Sequence, residues 1–348
     1  MDIQAHWYQA KKTLLCQLLR PFSWLFQLVS ILRKHKIQSL AYHSKLPVIV
    51  VGNITVGGTG KTPVVQAICS FLQQQGMNPA IVTRGYGGHA AQYPLLIDDT
   101  TQAKSCGDEP YMLKRLLPDV PIVVDPKRVE ALKFIESNLA QVDVIISDDG
   151  LQHYYFARDI EIIVVDGKRT FGNGLCLPAG PLREPIKRLE TADIIIFNGG
   201  VSHTLKLTHK KLYQMQLKPI YLVNLLTAEK KSISQFKIEF GNSCHAVAGI
   251  GNPQRFFKTI QQLGLTVDSH IFPDHYSYTK KDFLFLQNES SIVIMTYKDA
   301  VKCQLFAHKS WWYLEIFPMI EDEFFEQLQY KLSLLERGKE GGNHPSRE

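Results

Sequence analysis

The densest chemical signal in the chain is Thr55-Val56-Gly57-Gly58-Thr59-Gly60-Lys61-Thr62. Glycines 57, 58 and 60 let a backbone curl so that successive N–H groups converge, the geometry that cradles a phosphate chain. The apolar run Leu46–Val51 precedes these residues, and helix-like spacing follows from Pro63 to Gln75, so strand, turn and helix arrive in the order a phosphate loop needs. In such a loop Lys61 reaches the terminal phosphates and the Thr62 hydroxyl ligates Mg²⁺, with the helix dipole favouring the anion. The pattern G-x-x-x-x-G-K-[ST] wants glycine where Thr55 stands, and the Gly57-Gly58 pair offers the missing freedom. The plain alternative is a glycine-rich strand-to-helix turn.

Other clusters follow apolar runs in the same way. Val142–Ser147 ends in Asp148-Asp149-Gly-Leu-Gln152-His153. A carboxylate at a strand end is what a nucleotide site needs opposite the metal-binding threonine. Glu161–Asp166 is a competing strand whose Asp166 reads equally as a turn residue. Gly107-Asp108-Glu109-Pro110 opens a helix, and its carboxylates read either as dipole partners or as chemistry. Arg84-Gly-Tyr86-Gly-Gly88 follows the strand Pro79–Thr83, where loops meet substrates. Leu177–Pro185 is a proline-rich loop carrying Arg183 and Glu184. Pro273-Asp-His275-Tyr276 is a loop whose histidine reads equally as structural or catalytic.

Positioning these clusters takes a doubly wound α/β domain: further strands at Pro121–Val124 and Ala192–Asn198, helices at Tyr111–Leu117 and Lys127–Leu139, and ligands beyond the C-terminal strand ends. A smaller α/β unit begins near Cys244, with strands His245–Gly249, to Phe272, Ser291–Met295 and Trp311–Ile316, and helices from Pro253 and near Thr279–Gln287. The polar stretch 201–241 joins the two as a connection with strands of its own. Glu321–Leu335 reads as a helix, and the tail from Gly338 as disordered. The division expected is 1–40 (N-terminal helix region), 41–215 (nucleotide-binding domain), 216–317 (second domain) and 318–348 (C-terminal helix and tail).

At 348 residues, 45% hydrophobic and 21% charged, the chain forms a core. Its six scattered cysteines include no C-x-x-C pair, which argues against zinc ribbons and redox motifs and for free thiols. The net charge is +6, yet residues 1–40 hold six Lys/Arg against one acid, leaving the rest nearly neutral. That distribution excludes a nucleic-acid footprint spread over the fold. Within residues 11–36, Thr13, Gln17, Arg20, Ser23, Gln27, Ser30 and Lys34 form a narrow polar stripe on an otherwise apolar helix, divided or kinked by Pro21. The apolar window falls short of the ~20 residues a spanning helix needs. Two readings stay open: an amphipathic helix in a membrane interface, or one docked on the protein.

VGNITVGGTGKTPVV, TRGYGG, GDEPYML, ISDDGLQHYYFARD, LPAGPLREP, GIGNPQRFF, PDHYSY and TYKDAVK, in this order from about residue 46 to 303, resemble the tetraacyldisaccharide 4'-kinases, the lipid A 4'-kinases of Gram-negative bacteria. Threonine at position 55 is itself a mark of that family. The resemblance implies a P-loop NTPase-like fold with a mostly parallel sheet, a second smaller α/β lobe and a membrane-associated N-terminal helix. It implies transfer of the ATP γ-phosphoryl group to the 4'-hydroxyl of a tetraacylated glucosamine disaccharide 1-phosphate. It places the protein peripherally on the cytoplasmic face of the inner membrane, with Mg²⁺ and without an obligate protein partner. By resemblance, Thr55–Thr62 hold ATP and Asp108 is the base, with His275 as its partner. Asp148, Asp149 and His153 line the metal side, and Glu184 joins the magnesium network. Arg84, Tyr86 and Arg183 meet the acceptor. The chain departs from the family in having Tyr276 for a second histidine and Tyr297 for a glutamate.

Two other classes share some of these features. A regulatory P-loop GTPase needs a base-reading motif, which Thr296-Tyr-Lys-Asp299 matches in outline. A dinucleotide-binding protein would use Gly249-Ile-Gly251, although Gln254 occupies the third glycine position.

Overall fold

The computed structural model describes residues 3–9, 13–200, 211–274, 276–286 and 288–340. Two compact units divide the chain: Met1–Gln216 with Met319–Glu348, and Leu217–Pro318.

The first unit is built on strands with near-continuous β-branched runs, which suit a parallel sheet covered on both faces. They are β1 (Val48–Gly52), β2 (Pro79–Thr83), β3 (Leu95–Leu96), β4 (Ile122–Val124), β5 (Val144–Asp148), β6 (Ile160–Asp166), β7 (Ile194–Asn198) and the start of β8 (Leu212–Asn224). Every residue of β1, β2, β4, β5, β6 and β7 is buried. The order is β8-β7-β6-β1-β5-β2-β4-β3, all parallel except β3. The chain moves outward from β1 to β2 and β4, returns through β5, then crosses to β6. The order therefore reverses at β1, the position at which ligands bind beyond strand ends in such sheets. One residue of slip in β1 would carry its neighbours out of register; the pair Val51–Asp148 puts the end of β5 level with the start of the phosphate loop, and β6, paired at Gly52–Ile163, runs on past it to Asp166.

The second unit holds the rest of β8, β9 (Lys230–Ser232), β10 (Ser243–Ala248), β11 (Thr266–Ile271), β12 (Val293–Met295) and most of β13 (Trp311–Ile320), in the order β11-β10-β12-β13-β8 with β9 beside β8. Its core lies on both sheet faces, around Phe236, Phe257 and Trp312 on one and Phe283, Met295 and Trp311 on the other.

Several elements differ from expectation. The helix carrying Asp108 starts at that residue, not at Tyr111, because Gly107 turns sharply (φ 94°) after the short helix Ala103–Cys106. Where a helix was expected near Thr279–Gln287 there is only the 3₁₀ turn Lys280–Phe283, closed by a Thr279–Asp282 capping box. Residues 201–241 contain an unforeseen helix, Ile233–Phe240, whose Ser232–Gln235 capping box was legible. The last helix runs through Asp322–Glu340, past the tail boundary expected at Gly338.

The N-terminal segment forms helices Ile3–Trp7, Leu14–Leu18 and Arg20–Gln38, so the break falls at Leu19 and Pro21 sits in the first turn of the third helix. Ser23 of its polar stripe faces the body of the unit, Gln27, Ser30 and Lys34 are half-buried, and Gln17 and Arg20 are exposed. Ser23 is buried, donates its hydroxyl to the Cys176 carbonyl and accepts the Ala179 N–H at 3.3 Å. Lys34 lies over the Tyr154 ring at 5.0 Å. The apolar side points outward: Leu14, Leu18, Phe22, Trp24, Leu25, Leu28, Val29, Ile31 and Leu32 are 47–73% exposed. No described helix is long and apolar enough to cross a membrane.

Candidate active site

The phosphate loop leaves β1 and enters the helix Lys61–Gln74 through Gly60, whose φ of 96° disfavours any side chain. A Cβ at Gly60 would also lie 2.5 Å from Asn198 Nδ2, the same nitrogen that donates to the Thr59 carbonyl at 3.0 Å. Asn198 ends β7 and thus braces the loop from below. Arg169 reaches the loop from the other side, donating to the Gly58 carbonyl at 2.5 Å while pairing with Asp166 at 3.1 Å. Asp166 keeps its turn role, accepting the backbone N–H groups of Lys168 and Arg169. The Leu177–Pro185 loop docks alongside through an isolated bridge between Thr55 and Leu182. The Val56 N–H donates to Pro181, and the Arg183 N–H donates to Ile54 at 2.7 Å.

Lys61 sits at the centre. Its Nζ is 3.4 Å from Asn53 Oδ1 and 3.4 Å from Asp149 Oδ1. Arg183 approaches the same Asp149 oxygen at 3.5 Å. Asp149 has a positive φ of 47°, which turns its carboxylate toward these cations. Burial works to raise its pKa, but Lys61, Arg183 and Arg128 outweigh it and the net shift is downward. Asp148, at the end of β5, is 2% exposed, and its Oδ1 has no hydrogen-bond partner. Burial first, then the charges of Glu109 and Asp149, push its pKa up to about 7. The Thr59 and Ser147 hydroxyls are also buried without partners. A buried carboxylate left in this state is compensated by a cation, and the oxygen-only donors Thr62, Asp148 and Asp149 suit a hard ion such as Mg²⁺.

The Asp148-Asp149 turn is held by Arg128, whose Nη2 donates to both carbonyls at 3.1 and 2.9 Å. Arg128 opens the helix Arg128–Asn138, where a cation opposes the dipole. That misplacement is a sequence signal that the side chain is engaged elsewhere.

His153 lies on the far side of the turn. Burial first, then Arg128, Arg158, Arg33 and Arg84, lower its pKa to about 3, so its ring is neutral. The field there is strongly positive, and Arg33 of the N-terminal helix contributes to it. Glu184 has three protein partners. Its oxygens accept from Gln152 Nε2 at 2.9 Å and the Tyr154 hydroxyl at 2.6 Å, and Arg188 Nε is 3.2 Å away. Gln152 in turn accepts from Arg183 at 3.3 Å, so Glu184 connects to Asp149 through side chains.

The Arg84–Gly88 loop and the Gly107 turn fit together without room for Cβ atoms. One at Gly88 would lie 2.5 Å from the Gly107 nitrogen, and one at Gly107 would lie 2.7 Å from the Tyr86 carbonyl. This contact brings Arg84 and Tyr86, the latter 73% exposed, to the base of the helix bearing Asp108. Glu109, beside Asp108, acts electrostatically on Asp148 and belongs to the same cluster. His275 lies outside the described residues. Asn53, Arg128, Arg169 and Asn198 were not singled out from sequence, and Glu109 only as one of two carboxylates at a helix start. Asn53 and Asn198 carried the signal that exposed Asp148, a polar residue at the end of an apolar strand.

The second unit consumes the residues on which the two other classes depended. Asp299 is fully buried and accepts from Thr296 at 2.6 Å, from Tyr278 at 3.0 Å and from the Gly249 N–H at 3.1 Å, in the first turn of the helix Tyr297–Cys303, which Thr296 caps. Thr296–Asp299 is thus a helix start rather than a base reader, and Gly249 is small because the Tyr278 hydroxyl would stand 2.6 Å from a Cβ. The two departures from the family pattern have structural partners: Tyr276 donates to Asp282 at 2.8 Å, and Tyr297 packs on Tyr313 at 4.5 Å.

Comparison with known proteins agrees with this geometry. The family model for tetraacyldisaccharide-1-P 4'-kinase matches residues 15–333. The tetraacyldisaccharide 4'-kinase of Francisella philomiragia is 48% identical over 316 residues, 89% of this chain and 97% of the relative. That of Francisella tularensis subsp. novicida is 48% identical over 315 residues, with the same coverage. Among solved structures, the "apo" form of LpxK from Aquifex aeolicus in complex with ATP superposes with a TM-score of 0.78 at 28% identity, covering 91% of this chain and 99% of that one. With a phosphate loop braced by Asn198, a buried carboxylate pair opposite it and this match over most of its length, the chain belongs to the tetraacyldisaccharide 4'-kinase family.

Proposed function

We propose that the protein transfers the γ-phosphoryl group of ATP to the 4'-hydroxyl of a tetraacylated glucosamine disaccharide 1-phosphate at the cytoplasmic face of the inner membrane. The observation that carries the reading is the buried Asp148 carboxylate, its Oδ1 without a hydrogen-bond partner, beside the Lys61–Asp149 pair at the mouth of the phosphate loop.

Backbone N–H groups of Thr55–Thr62 hold the phosphates, and Lys61 exchanges its contacts with Asn53 and Asp149 for β- and γ-oxygens. Mg²⁺ held by Thr62, Asp148 and Asp149 would neutralise charge on the transferring group. Glu184 supports this arrangement indirectly, by fixing Gln152 and Arg183. Asp108 takes the proton of the acceptor hydroxyl, and His275 orients and tunes it. Arg84 and Arg183 meet anionic groups of the acceptor, in a field strengthened by Arg33 and Arg128, and Tyr86 covers the sugar.

Support for the membrane as partner is the inverted helix Arg20–Gln38. Seven of its large apolar side chains face outward next to Lys and Arg residues, while Ser23 docks inward. Fully burying one such side chain is worth about 1.5–3 kcal/mol. An anionic surface contributes only about 1 kcal/mol per basic residue. The apolar face therefore dominates, and charge assists it.

The test is incubation of the purified protein with γ-labelled ATP and the tetraacyl disaccharide 1-phosphate in detergent micelles. Label should pass to the lipid in the presence of Mg²⁺. Absence of labelled lipid while ATP still binds would overturn the assignment.

A further inference from the structure

One cluster of metal-ligating side chains lies apart from the chemistry above. In the parallel pair β10–β11, His245 stands in register with Asp268, and His270 is two residues further along β11. Residues two apart on a strand share a face. The pairing thus gathers two imidazoles and a carboxylate on one face at the edge of the second unit's sheet, since β11 is its outermost strand.

The donor atoms form a compact triangle. His245 Nδ1 lies 3.1 Å from His270 Nε2 and 3.2 Å from Asp268 Oδ2, and His270 Nε2 lies 3.6 Å from the same oxygen. Zinc bonds of about 2.0–2.1 Å in a tetrahedron put neighbouring donors ~3.3–3.4 Å apart. The three observed edges bracket that spacing. Each ring can carry its hydrogen on the far nitrogen, and three lone pairs then face one point. The imidazoles are largely covered, at 23% and 19% side-chain exposure, while Asp268 is 68% exposed, so one side is open to water. Phe285 stacks on the His270 ring with centroids 3.5 Å apart and planes 14° apart, which fixes the ring's direction.

We propose that His245, Asp268 and His270 form a binding site for a zinc-class divalent ion, completed by water, that clips the edge strand β11 to β10. Two nitrogen donors and one oxygen select borderline transition ions and reject Mg²⁺, which takes an all-oxygen shell. The site is therefore chemically separate from the nucleotide centre. β11 runs within four residues of its end into position 275, so the clip anchors the strand that leads into the PDHY loop.

The experiment uses the untagged full-length protein, stripped with a chelator and titrated with Co²⁺. One equivalent should bind with the visible absorption of a low-coordinate ion, be displaced by Zn²⁺, and resist excess Mg²⁺. His245→Gln and His270→Gln should each weaken binding by more than about tenfold. Asp268→Asn, at an exposed position that poses little risk to folding, should weaken it measurably. Zn²⁺ should raise the melting temperature of the unaltered protein and not of the histidine variants. Co²⁺ uptake unchanged in His270→Gln or Asp268→Asn, or no stoichiometric uptake by the unaltered protein, overturns the site.

Discussion

At the scale of single residues, the nucleotide centre trades stability for readiness. Asp148 is buried, unpartnered and raised to about 7 from an ordinary 3.8. A carboxyl whose folded-state pKa is raised contributes stability below its unfolded pKa and loses it as pH climbs through the folded value. Between pH ~4 and ~7, metal-free protein should therefore lose stability relative to Asp148→Asn, by on the order of 3 kcal/mol at the upper end. Thermal melts in chelator across that range check this, and parallel curves would show that the charge costs nothing. The same substitution should lower turnover by at least about 100-fold, because it removes charge where phosphoryl transfer needs it. Arg128 works in the opposite sense. Arg128→Leu leaves the Asp148 and Asp149 carbonyls without their shared donor and should cost about 1–3 kcal/mol. Hydrogen exchange at residues 148–152 would register the loosened turn.

At the scale of elements, the strands were the most legible part of the sequence, since β1, β2, β5, β6 and β7 are apolar runs bounded by polar turns. Their order was not, because it depends on crossovers that no local pattern specifies. The site was legible where chemistry ends a strand, as at Asp148, and where glycine marks a tight turn. It was not legible where a side chain travels: Arg128 and Arg169 reach backbone carbonyls 20 and 111 residues away. The N-terminal helix was legible in composition and ambiguous in orientation. The stripe docks at Ser23 and Lys34, and the membrane stands as the proposed partner of the exposed apolar face. Trp24→Asp with Leu28→Asp should strip the protein from anionic vesicles while sparing turnover on a water-soluble, short-chain acceptor. High salt alone should release only a minor fraction, because the apolar term dominates. Complete release by salt would reverse that ranking.

At the scale of the whole molecule, the chain passes between its two units inside β8 and β13, so the second unit is an insertion closed by the return of the last helix to the first. The proposed base and its partner are divided between these units, Asp108 in one and position 275 in the other. If they act as one proton-accepting device, their losses do not add. Asp108→Ala and His275→Ala should each reduce kcat by more than about 100-fold with ATP affinity little changed. The double variant should be no worse than the poorer single one. Multiplicative losses in the double variant would mean two independent roles.

The inward polar row of the helix Arg20–Gln38 also bears on how this surface tolerates change. Ser23 meets two backbone groups at fixed positions, so a larger or apolar residue there strands both. The outward row is largely exposed, so leucine, isoleucine, valine and phenylalanine should be interchangeable along it except at Trp24, over whose ring Arg20 lies at 5.7 Å. The usual rule of substitution is thus reversed: the small polar positions are the intolerant ones, and the large apolar ones drift freely. A detergent-free form of the enzyme should be reachable by recolouring only the outer row with glutamate and lysine, leaving every residue that touches the body of the protein as it is.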